Sequence, residues 1–174
     1  VFELLSSQYN YFSNWYYVAI RELVGLDDFQ NDIDYIFKMM RKKVSRKNIK
    51  KCLEDLIKVG LLAHDNSGEL VQVDELVSFS DNSFNYTVVN SLHSQFLERA
   101  TESLEEDEYD ERSASCVVIS TNSKNLSRIR EEIKSFRELI MNKYAVGEDT
   151  VDSVLNLGIQ LHQITPVKTE RKRK

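Results

Sequence analysis

The sequence predicts an α+β fold, and three observations carry that prediction. Between residues 13 and 60, apolar side chains recur at three- and four-residue spacing in three short runs, the mark of helices with one buried face. Residues 61–73 then hold two short apolar runs around Asp65-Asn66-Ser67-Gly68, which read as a β-hairpin. Beyond residue 84 the pattern alternates between helical periodicity and apolar or alternating segments of strand character.

The first helix opens with Ser13 as its cap and runs through Trp15, Val18, Ala19, Leu23 and Val24, with Gly25 as its stop. The second spans about 32–40, with Ile33, Ile36, Phe37 and Met40 on one side. Ser45 opens the third, whose stripe is Ile49, Cys52, Leu53, Leu56 and Ile57, and Gly60 ends it. Residues 84–104 place Val88, Leu92, Phe96, Ala100 and Leu104 in helical phase. Residues 105–111 form a charged connector. Residues 114–120 read as a buried strand, and 124–143 as a long helix with Leu126, Ile129, Ile133, Phe136 and Ile140 in one stripe. Residues 151–165 alternate, with Leu155, Leu157, Ile159 and Leu161 facing one way, as a half-buried strand does. Two strands make a poor sheet alone, so further pairing is expected, a second subunit being one source.

Three helices and a hairpin in this order make a winged helix. The expected architecture is that module over residues 1–80, a small helix-strand-helix-strand α/β domain over 81–167 serving as sensor or dimerisation domain, and a disordered basic tail at 168–174. The chain has 174 residues, enough for one large domain or two small ones. It begins at Val1 rather than Met, which reads as a piece of a longer protein. No apolar run approaches the roughly 18 residues of a membrane span, and no leader pattern is visible. Cys52 and Cys116 read as two reduced core thiols of a cytoplasmic protein.

Net charge is −5, which argues against indiscriminate binding to nucleic acid, but its distribution is uneven. Residues 38–58 carry nine Lys or Arg against two acids, between acidic flanks. Screening limits electrostatic reach to about 8–10 Å, so local sign decides what docks there. The island centres on Arg41, Lys42, Lys43, Val44, Ser45, Arg46, Lys47, Asn48, Ile49, Lys50 and Lys51. These residues cover the turn into the third helix and its first turns. In a helix-turn-helix that helix enters the major groove by its N-terminal end. Lys and Arg there neutralise phosphates. Asn48 and Arg46 have the donors and acceptors to read base edges. The first-turn amides offer a phosphate seat. The alternative is a solvated basic face. Glu54 and Asp55 confine the basic character to the front of the helix, and the hairpin tip, Asp65 to Gly68, is acidic.

Other features read as structural. Tyr9, Tyr11, Phe12, Trp15, Tyr16 and Tyr17 are expected in core or an interface, although aromatic clusters also stack bases. His64, His93 and His162 have no metal-ligand spacing. No phosphate loop, nucleophile elbow or HExxH motif occurs, so no enzyme activity, cofactor or metal is expected. The acidic run 105–111 lacks the glycine-punctuated alternation of a calcium loop.

Several words in order carry a resemblance. They are Tyr11-Phe12-Ser13-x-Trp15-Tyr16-x-x-Ala19-Ile20-Arg21-Glu22-Leu23, Asp28-Phe29, Leu56-x-x-x-Gly60-Leu61-Leu62 with Asp65 and Gly68, and Leu92-His93 followed by Gln95. Glu111-Arg112 and Leu155-Asn156-Leu157-x-Ile159-Gln160-Leu161 complete the series. The chain resembles, over about residues 1–165, a paralogous family of bacterial transcriptional regulators of Fibrobacter and Bdellovibrio type. The resemblance implies a helical segment upstream of Val1 and a C-terminal domain of unknown function. It supplies no catalytic residues. The ending Leu161-His162-Gln163-Ile164-Thr165 departs from the family's Phe-Pro-Leu-Thr.

The expected function is therefore DNA-binding transcription regulation by a homodimer on double-stranded DNA. A winged helix that binds protein instead, through a partner or a preceding domain, is the alternative, followed by a small-molecule sensor.

Overall fold

Apolar spacing of three and four residues is realised as helix in three runs between residues 15 and 58. The computed structural model describes residues 9–73, 86–145 and 150–166. Residues 9–13 are helical, followed by α1 (Trp15–Leu23), α2 (Ile33–Met39) and α3 (Arg46–Lys58). A hairpin of β1 (Leu62–His64) and β2 (Leu70–Gln72) comes next, antiparallel, with Ala63 opposite Val71. Two longer helices complete the order, α4 (Tyr86–Glu106) and α5 (Leu126–Tyr144). The architecture is α+β, mostly helical with one small sheet among the described residues. The expected boundary near residue 80 and the tail at 168–174 lie outside the described residues.

The chain divides into two compact units, Val1–Glu106 with Thr150–Asn156, and Asp107–Asp149 with Leu157–Lys174. The first contains a continuous core. Ile20, Ile36, Ile49, Cys52 and Leu56 are fully buried, one or more from each of α1, α2 and α3, and Leu62 of β1 joins them. Residue 151 is tied to this unit by backbone: Asp27 N–H donates to the Val151 carbonyl at 2.9 Å, and Val151 N–H donates to the Asp27 carboxylate.

Helix ends explain the tight connections. Asn14, not Ser13, is the N-cap of α1, in extended backbone. Ser13 belongs to the preceding helical turn, where its hydroxyl donates back to the Tyr9 carbonyl, the usual bond of a serine inside a helix. At the end of α3 the Gly60 N–H donates to the Ile57 carbonyl and Leu61 N–H to that of Leu56. This is a Schellman motif with Gly60 left-handed at φ +79° and buried Leu61 and Leu56 at its ends. The end of α2 repeats the same bonding, from Arg41 to Lys38 and from Lys42 to Phe37. Here the left-handed positions are Arg41 (φ +52°) and Lys42 (φ +61°), residues that pay steric strain for a conformation glycine takes freely.

The second unit departs from expectation. Its helix α5 lies where helical periodicity puts it, but none of its side chains is buried. Segment 114–120, and segment 151–165, whose residues up to Asn156 belong to the first unit, join no ladder among the described residues, so the expected helix-strand-helix-strand arrangement is corrected to helices with unpaired segments. A strand exists only through a ladder of partner hydrogen bonds, and beyond the Val151–Asp27 pair the described residues provide none for these segments. Cys116 is consequently exposed rather than in a core, whereas Cys52 is buried as expected. The connector also changes: residues 105–106 extend α4, and Tyr109–Glu111 form a 3-10 turn.

A Cβ at Gly60 meets open space, so Gly60→Ala isolates the backbone cost and is expected to lose about 1 kcal/mol in urea denaturation. Lys42→Gly is expected to move the other way, gaining roughly 0.5 kcal/mol as relief of left-handed strain exceeds the added entropy of the unfolded chain.

Candidate functional site

The site is built on α3. Its inner stripe of Ile49, Cys52, Leu53 and Leu56 is buried, which turns the opposite face outward. Ile57, expected in the stripe, stands at its margin and is exposed. Ser45 caps the helix, its hydroxyl accepting from the Asn48 N–H at 3.2 Å. Arg46, Lys47, Asn48, Lys50, Lys51 and Glu54 are all exposed.

The nine expected site residues separate into three groups. Lys43, Arg46 and Lys51 are held by carboxylates. The Lys43 ammonium donates to Glu102 and, at 2.8 Å, to Glu106, both on α4. These bonds hold the Lys43 ammonium above the usual lysine range, and Lys43 in turn holds the Glu102 carboxyl below the usual carboxylate range. Arg46 pairs with Asp34 of α2 and lies over the Phe37 ring, 3.9 Å from its centroid. Lys51 donates to Asp55 at 2.7 Å, one turn along α3. The second group, Arg41, Lys42 and Ser45, forms the turn and cap that set the start of α3. In the third, Lys47, Lys50 and the Asn48 side chain project from α3 with no ion-pair or hydrogen-bond partner among the described residues.

Two supports are not visible in the basic island. Asp55, read from the sequence only as an acid that bounds the basic face, is 13% exposed at its side chain. Its Oδ2 accepts from Tyr17 Oη at 2.7 Å, Asn10 Nδ2 at 3.0 Å and Lys51 Nζ at 2.7 Å. Burial, and then the bond to Asp55, push the Tyr17 hydroxyl far above its ordinary pKa. The second support is α4. Gln95 accepts from Trp15 N–H at 3.1 Å and donates to the Ser13 carbonyl at 2.8 Å, closing the break between the first two helical segments. Arg99 lies over the Trp15 ring and pairs with Glu102. The four-residue spacings Lys51–Asp55 and Glu102–Glu106 were available in the sequence as signals of shared helix faces.

The hairpin tip is self-satisfied. Asp65 Oδ1 accepts from the Ser67 N–H and hydroxyl and from Glu69 N–H, all within 2.9 Å. Those bonds, the Ser67 hydroxyl foremost, hold its carboxyl below the usual range and keep the tip negative. The aromatic cluster is core: Tyr11, Phe12 and Tyr17 are buried, Trp15 and Tyr16 pack against them, and Tyr9 is exposed. Burial pushes the Cys52 thiol far up, which removes it from nucleophilic chemistry. Among the described residues no group of His, Cys, Asp and Glu is arranged to hold a metal ion. No helix there is long and apolar enough to cross a membrane.

Tyr17→Phe is expected to cost about 1.5 kcal/mol, because it strips one donor from a mostly buried carboxylate. It leaves the surface of α3 unchanged, which denaturation and heteronuclear spectra of α3 will read separately. Docking of α4 should also depend on pH. Glu102 contributes above the ordinary carboxylate range, and its contribution is lost as pH falls through its lowered pKa. Lys43 contributes below the ordinary lysine value, and its contribution is lost as pH rises through its raised pKa. Amide exchange in α4, corrected for intrinsic rates, should be slowest between those limits, and Lys43→Met should flatten the profile.

Residues 2–164 match the family model described as "Domain of unknown function (DUF4423)". No curated protein and no solved structure matches the chain.

Proposed function

The chain belongs to the DUF4423 family of domains of unknown function, and from that premise and its own geometry we propose that it is a DNA-binding transcription regulator. The reading takes α1 to α3 with the β1–β2 hairpin as a winged helix and α3 as its recognition helix. One observation carries it: Lys47, Asn48 and Lys50 stand together on the exposed face of α3, free of carboxylates among the described residues, while the opposite face is locked in the core. Free ammonium groups on an anchored helix are suited to phosphates, and an unpartnered Asn amide is suited to an adenine edge. Lys42, exposed in the turn before α3, adds a third cation without a partner among the described residues. Lys43 serves to hold α4, and Arg46 and Lys51 reach DNA by exchanging a carboxylate for a phosphate.

A regulator of this kind acts in the cytoplasm, without catalysis or cofactor, as a homodimer on two half-sites. The pairing of Lys43, Arg46 and Lys51 with carboxylates favours a second reading, in which the same face docks an acidic protein segment.

Binding of the full chain to fragments of its source genome, followed against salt, tests the proposal. Lys47→Ala and Lys50→Ala should each lower the slope of log affinity against log salt by about one. Lys47→Glu with Lys50→Glu should abolish binding. Lys51 is left intact, because a Glu there faces Asp55 and threatens the fold. Unchanged affinity in the double variant refutes the proposal, and binding confined to acidic protein ligands selects the second reading.

A further inference from the structure

In the second unit, the most apolar segments are the least covered. Val117 and Val118 are 79% and 76% exposed, and Leu157 is 52% exposed. Residues 113–121 and 157–164 make no backbone hydrogen bond among the described residues. The flanking residues Arg112 and Asn122 have extended backbone (φ −139°, ψ 160° and φ −75°, ψ 133°). Strand-forming residues left in this state are templates for pairing, and proteins guard such edges with charge, proline or cover.

Guarding charges are missing here. Residues 113–123 contain no Asp, Glu, Lys or Arg, and neither do 153–166. Cys116-Val117-Val118-Ile119 is apolar on both faces of a pleat, the pattern of a strand inside a sheet rather than at its edge. Residues 157–161 are apolar on one face only. Among its described residues the unit offers one α-helix to cover them, α5, whose Ile129 and Ile133 are half-buried and whose Phe136 is exposed.

We propose that residues 113–121 and 157–164 are interface strands between two copies of this chain, each segment taking its backbone hydrogen bonds from the second copy. Uncharged segments meet their own copies without like-charge repulsion, which a charged edge would impose. Size comes close as well. At about 60–120 Å² per aliphatic side chain, the exposed parts of Val117, Val118, Ile119, Leu157, Ile159 and Leu161 in two copies come to roughly 400–800 Å². The Phe136 side of α5 and the paired backbone add to this, toward the roughly 1,200 Å² at which specific, stable interfaces begin. The pairing rests on none of the cations of α3, although it supplies the dimer that the regulator reading calls for.

The test uses the full chain and its exposed Cys116, with buried Cys52 as a slow internal standard. Sedimentation over a wide range of concentrations should give twice the mass of one chain, and alkylation of Cys116 should slow in step with the dimer fraction. Val118→Lys places a charge in the segment and should return the mass to one chain with helical content retained. If that variant fails to fold, the alkylation series on the unaltered chain decides. A single-chain mass throughout overturns the proposal, whether Cys116 is reactive or covered from within its own chain. A dimer with fully reactive Cys116 also overturns it. Lys47→Glu with Lys50→Glu should leave both readouts unchanged, so failure of the DNA reading and failure of this one are told apart.

Discussion

A carboxylate taken most of the way out of water has to be surrounded by donors, and much of the first unit depends on how Asp55 meets that requirement. It draws a hydroxyl from α1, an amide from the helical turn before it and an ammonium from α3 itself. Removing any donor exposes the others to the cost of an under-solvated charge. The hub therefore locks the rotation of α3 about its axis. With that rotation set, Ile49, Cys52 and Leu56 point into the core, and Lys47 and Lys50 point away from it.

The same geometry revises the electrostatics of the basic island. Formal charge between residues 38 and 58 is strongly positive, yet part of it is consumed at short range. Glu102 and Glu106 reach Lys43 from a helix more than fifty positions away in sequence, and Asp34 reaches Arg46 from α2. Exposed pairs of this kind add little stability. Their larger consequence is spatial, because they leave the uncompensated charge at the front of α3. Gln95 and Arg99 bring α4 onto α1, so the helix that neutralises Lys43 also braces the start of the core.

The second unit shows the collective nature of sheets. A helix satisfies its backbone internally, and α5 forms over its expected span although none of its side chains is buried. A strand cannot do so. Among the described residues, segments with strong strand composition remain outside any ladder. The result is a concentration of exposed valine, isoleucine and leucine in a unit otherwise rich in charge.

Sequence alone determined whatever depends on near neighbours: the spans of α1 to α5, the hairpin around Asp65 to Gly68, the buried stripe of α3, the Gly60 stop and the concentration of cations in residues 38–58. Each follows from three- or four-residue periodicity, turn chemistry or local charge. Tertiary structure alone decided what depends on distant partners. It turned Asp55 inward, tied Lys43 to α4, exposed Cys116 and left residues 114–120 without a ladder. A side chain's periodicity tells which way it faces on its own helix. Whether a charge there is free or matched, and whether an apolar segment is covered, is set by surfaces that reach it from elsewhere in the chain.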